Sequence, residues 1–162
     1  MIGHSLKFSV ATCLFAMLSL LSGEVTACTI GEEAQVKFPP NTAAFSNADR
    51  VSIANIAIEA KKWPDVEIRA VVIAGAYISE NDVDKLKGAR AKIAKSYLQQ
   101  LGIKSENILI DKKTFTEEMT ERQPDGTIIT HQMVVELTPI CKGSCAWMCD
   151  DPRVSPRSKA VN

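Results

Sequence analysis

Arg90 is the residue best equipped to do chemistry, in the stretch Leu86-Lys87-Gly88-Ala89-Arg90-Ala91, with Glu80, Asp82 and Asp84 just ahead of it. A guanidinium can grip a carboxylate through two parallel N–H donors, which an ammonium cannot do. Read alone, Arg90 is also an ordinary solvated helix residue or half of a surface ion pair, worth little energetically. The three carboxylates are spaced like part of a divalent-ion loop. They lack the central Gly and the distal Glu of a calcium hand, so helix capping by Asp82 or Asp84 is the reading they support.

Sulfur is the second source of chemistry. Cys13 lies in an apolar leader, which leaves Cys28, Cys141, Cys145 and Cys149. Four cysteines in an exported chain point to two disulfides, with three connectivities open. A competing use exists for Cys28, because Val25-Thr26-Ala27-Cys28 also resembles a lipobox. Acylation there would leave an odd thiol, and Thr29 after it would direct the product to the outer membrane by analogy with lipoproteins. The Cys141-x-x-x-Cys145-x-x-x-Cys149 spacing is not the paired C-x-x-C of a zinc site. His131 is the single histidine beyond the leader, which argues against a triad or a histidine–metal centre. The expectation is a protein that is not an enzyme and needs neither metal nor cofactor.

These residues need a scaffold. Residues 1–27 read as an export signal: His4 and Lys7, then the mostly apolar run Phe8–Leu21, then small residues before Cys28. The run is short for a membrane span, so membrane attachment would come only through a lipid anchor. The remaining chain of about 135 residues suits one domain with one core. Lys and Arg total 19 against 19 Asp and Glu, and the leader removes one of each sign. A neutral chain without a basic stripe is no nucleic-acid binder.

Gln35–Phe38 is a short strand stopped by Pro39-Pro40. Ser46 and Asp49 form a capping box for a helix carrying Val51, Ala54 and Ile58, which ends before Pro64. Val66–Ile73 is a buried central strand ending at Gly75. A second helix carries Leu86, Ile93, Ala94, Tyr97 and Leu101, with Gly102 as its left-handed stop. Asn107–Ile110 is the third strand, Lys112–Asp125 a polar connection, and Ile128–Thr138 the fourth strand, with Ile129, Met133, Val135 and Leu137 on one face. The order β-α-β-α-β-β predicts an α+β two-layer sandwich: a mixed four-stranded sheet with two helices on one face. The domain is expected over 28–140, followed by a Cys-containing, partly disordered tail over 141–162. There Trp147-Met148 is either a cover for the sheet edge or a knob for a partner.

The Leu86–Leu101 segment resembles the L-S-x-x-R-A-x-x-V-x-x-Y-L stretch of the OmpA-like C-terminal domain. Phe38 through Ala48 resembles that family's entry into its first helix. Ile73-Ala74-Gly75 is similar to the strand end before its binding loop, Leu101-Gly102-Ile103 to its L-G-I turn, and Val135-Glu136-Leu137 to the end of its last strand. The resemblance covers about residues 34–138. It implies an envelope location (periplasmic, with outer-membrane association) and binding of peptidoglycan peptide through Arg90, where the family arginine holds diaminopimelate. The family aspartate falls on Ile78, its asparagine on Val83 and its N-R-R on Gln132-Met133-Val134, so Glu80, Asp82 or Asp84 must serve as the acidic partner. The alternative is a periplasmic adaptor or inhibitor that keeps the fold and binds an envelope protein. The resemblance further implies that strands one and four are antiparallel neighbours, pairing Cys28 with Cys141 and leaving Cys145 with Cys149.

Overall fold

A computed structural model describes residues 28–128 and 130–159. The export signal expected over 1–27, the position Ile129 and the last three residues lie outside them. Among the described residues, six strands and two α-helices follow in chain order: β1 (Cys28–Thr29), β2 (Glu32–Val36), α1 (Asn47–Ala60), β3 (Glu67–Tyr77), α2 (Val83–Gln100), β4 (Ile108–Phe115), β5 (Met133–Ile140) and β6 (Ser158–Lys159). The main sheet has the order β2-β5-β3-β4. β3 and β4 are parallel, whereas β5 is antiparallel to both β2 and β3. This is the expected α+β sandwich, with β2 and β5, the first and fourth strands expected from the sequence, as antiparallel neighbours.

α1 starts where the capping box puts it. The Asp49 N–H donates to Ser46 Oγ at 3.1 Å and the Ser46 N–H donates to Asp49 Oδ2 at 2.9 Å. α2 ends at a glycine in the left-handed region, Gly102 at φ 88°, whose neighbour Ile103 donates its N–H back to Leu98 at 3.0 Å. Ile53, Ile56, Ala57 and Ala60 of α1 and Ala91, Ala94 and Leu98 of α2 pack on Ala70, Val72, Ala74, Met133, Val135 and Leu137 of the sheet. Alanines on both layers let the helices approach closely, and burying these side chains is the main force holding the layers together.

Several elements depart from expectation. β2 begins three residues earlier, because Glu32–Val36 pairs with Leu137–Met133. Phe38 lies beyond it, its N–H and C=O both satisfied by the side-chain amide of Gln132 at 3.1 and 3.2 Å. β3 runs past Gly75 to Tyr77, and β4 extends through the supposed polar connection to Phe115, since the two pair in parallel as far as Tyr77–Phe115. β5 starts at Met133 rather than Ile128.

The tail also differs. Residues 141–159 pack on the domain: Met148 is fully buried, Val154 is buried, and β6 pairs with β1. Two apolar anchors and a strand pairing hold a segment whose composition alone reads as disordered. The disulfides are Cys28–Cys149 and Cys141–Cys145, with Cα separations of 5.9 and 5.5 Å, both within the usual reach. This corrects the expected Cys28–Cys141 and Cys145–Cys149 pairing. β1 turns away from the main sheet to meet β6, and the 3-10 turn Ala146–Asp150 folds back beside it, so Cys28 meets Cys149 and not Cys141.

Candidate functional site

The site predicted around Arg90 forms where three segments meet: the end of β3, the loop to α2, and the loop between β2 and α1. Arg90 sits two turns into α2, and the stripe that buries Leu86, Ala94 and Leu98 carries it inward, so its side chain is fully enclosed. Its guanidinium donates to both oxygens of Glu80, Nη1 to Oε2 at 2.9 Å and Nη2 to Oε1 at 2.7 Å. Nη1 also donates to the Gly75 carbonyl and Nε to the Thr42 carbonyl, each at 2.8 Å. The Phe38 ring lies under the cation at 4.6 Å, a favourable placement for a desolvated charge.

Glu80 is equally occupied. Besides Arg90, it accepts the N–H of Tyr77 and of Asn41, both at 2.9 Å. Burial pushes its carboxyl upward, but the Arg90 guanidinium and the Tyr77 and Asn41 amides outweigh that, and its pKa lies below the ordinary value. Asn41, at φ 58°, turns the first loop so that its Oδ1 accepts the Asn81 N–H at 2.6 Å. The two loops are thus stapled through one carboxylate and one amide. Charged groups persist in the interior when paired and hydrogen-bonded in this way.

Of the predicted site residues, Arg90 and Glu80 come together and Asp82 does not. Asp82 is the first residue before α2, exposed, left-handed at φ 47°, and its side chain makes no capping bond. Asp84 is exposed and pairs with Lys87 at 2.8 Å. Ile78, at the family aspartate position, is 56% exposed. Four of the five N–H groups of Arg90 already serve the protein's own acceptors, so a ligand carboxylate reaching it would displace Glu80. Sequence reasoning missed Thr42, Gly75, Asn41 and Gln132, whose contributions come from the backbone or from an amide with no distinguishing pattern. Beside the pair lies a cleft of about 280 Å³ bordered by Lys37, Asn41, Tyr77, Ser79, Glu80 and Gln132.

At Cys28 the disulfide to Cys149 uses the sulfur that a thioether-linked lipid would need. A lipid anchor at Cys28 and this bridge are therefore alternative uses of one sulfur. Among the described residues, no cluster of three His, Cys, Asp or Glu could hold a metal ion. No described helix is long and apolar enough to cross a membrane.

No family model and no curated protein matches this chain. In solved structures the chain is similar to the OmpA-like domain of FopA1 from Francisella tularensis subsp. tularensis SCHU S4. The identity is 20%, the match covers 74% of this chain and 84% of that one, and the TM-score is 0.45.

Proposed function

We propose that the chain is a non-enzymatic binding module of the cell envelope, OmpA-like in build, that docks an envelope protein in place of the cell-wall peptide. The order of elements and the motifs from Phe38 to Leu137 support the build. The observation that argues against the cell-wall peptide is the closed Arg90–Glu80 pair. A diaminopimelate carboxylate would have to replace a Glu80 carboxylate that already holds four donors. Breaking one partner out of a buried pair costs roughly 3–5 kcal/mol, more than a single carboxylate grip returns. The rival reading keeps Arg90, Glu80 and Asp82 as peptidoglycan contacts. It is favoured by the neighbouring cleft, which Glu80 borders.

Co-sedimentation with isolated sacculi separates the two. The protein is expected to remain in the supernatant at physiological salt. Pelleting that free diaminopimelate competes away would overturn the adaptor reading in favour of its rival.

A further inference from the structure

We propose that the Cys141–Cys145 bridge is a thiol–disulfide exchange site for an envelope dithiol, with Cys28–Cys149 kept as the structural clasp. Both bridges border one cavity of about 420 Å³, lined by Cys28, Cys145, Cys149, Arg69, Thr138 and Ser144. The cavity lies at the end of the sheet where β3 begins, remote from the Arg90–Glu80 pair at the other end. Cys145 is half-buried and borders the opening. Cys141 is likewise half-buried but does not line the cavity, and its Sγ is 3.8 Å from the Sδ of fully buried Met148. An incoming sulfur therefore meets Cys145, and Cys141 is placed to leave.

The surroundings favour an anionic nucleophile. Arg69 is exposed, lines the cavity and makes no ion pair among the described residues. Lys142, Gly143 and Ser144, the residues spanned by the bridge, are all exposed. Thiolate, not thiol, attacks a disulfide, and nearby cations stabilise it. In the second bridge Cys149 is buried, which leaves only its Cys28 sulfur half-buried at the same cavity.

The two bridges also differ in what their opening does to the fold. Cys141–Cys145 spans 4 residues, whereas Cys28–Cys149 spans 121. Opening the short one releases little chain, and the segment stays tied down through Cys149. A partner thiolate attacks Cys145 Sγ, the Cys145–Cys141 bond breaks, and Cys141 departs as thiolate and takes a proton from solvent. The partner's second thiolate then attacks its own sulfur in the mixed disulfide and releases Cys145, which is protonated in turn. Two electrons pass to this protein, and the partner dithiol becomes a disulfide.

The test equilibrates the purified, oxidised protein across reduced and oxidised glutathione, traps thiols by alkylation and maps the modified peptides. Cys141 and Cys145 are expected to label at a [GSH]²/[GSSG] ratio at least about tenfold lower than Cys28 and Cys149, which is about 30 mV, with near-UV circular dichroism unchanged. Arg69→Ala should slow this opening several-fold without moving the melting temperature. The double variant Cys141→Ser/Cys145→Ser should stay folded and lose the fast phase. Joint opening of both bridges, opening only with loss of tertiary signal, a fast phase surviving in the double variant, or an unchanged rate in Arg69→Ala would overturn the assignment.

Discussion

Glu80 and Arg90 respond to substitution according to what each leaves stranded. Glu80→Leu strands a fully enclosed guanidinium and the amides of Tyr77 and Asn41, so we expect a loss of roughly 3–5 kcal/mol in urea unfolding. Adding Arg90→Met removes the orphaned charge and should restore part of that loss, the remainder being backbone groups left unpaired at about 1–3 kcal/mol each. Strict additivity of the two single losses would show that the pair is not coupled. The same carboxylate gives a pH dependence. Its folded pKa is below its unfolded one, near 4.3 for a glutamate, so its stabilisation is complete above that value. It disappears as pH falls through the lower folded pKa. Acid unfolding of wild type and Glu80→Gln, followed by circular dichroism, should differ in slope only below about pH 4.3.

The paired ends of β3 and β4 include one close contact. A Cβ built on Gly75 would lie 2.1 Å from the Phe115 ring and 3.0 Å from the Gln132 carbonyl. Gly75→Ala should therefore destabilise the protein by about 1–3 kcal/mol through overpacking. Phe115→Leu should recover part of that loss in a double-mutant cycle, and a neutral Gly75→Ala would contradict the packing. Gly75 looked in the sequence like a strand's end because glycine usually punctuates; here it is the clearance for a ring forty residues away. β4 was legible only as far as Ile110, since Asp111, Lys112 and Lys113 are exposed on an edge strand, where no alternation is enforced and charges discourage further strand pairing. The capping box, the Gly102 stop and the apolar stripes were legible because they are local. Burial of Arg90 was not, because the carbonyls that receive it come from Thr42 and Gly75 in distant segments.

At the scale of the molecule, Cys28–Cys149 closes nearly all of the described residues into a loop of separation 121. The chain-entropy model gives about 4–5 kcal/mol for such a loop and about 2 kcal/mol for Cys141–Cys145. Cys28→Ser/Cys149→Ser should thus lower the urea midpoint about twice as far as Cys141→Ser/Cys145→Ser, and equal shifts would argue against the clasp. The main sheet holds its own register at Glu32–Leu137 and Glu67–Ile140, so the clasp adds to a fold already specified. Thr29 sits opposite Ser158, so the backbone nearly meets itself and the fold is close to a ring. Where a chain begins and ends in a ring is a matter of choice. Joining the partners of that small sheet with a short Gly/Ser bridge, and starting instead at the exposed Pro124–Gly126 turn, should yield a permuted protein with the same spectrum and the same core.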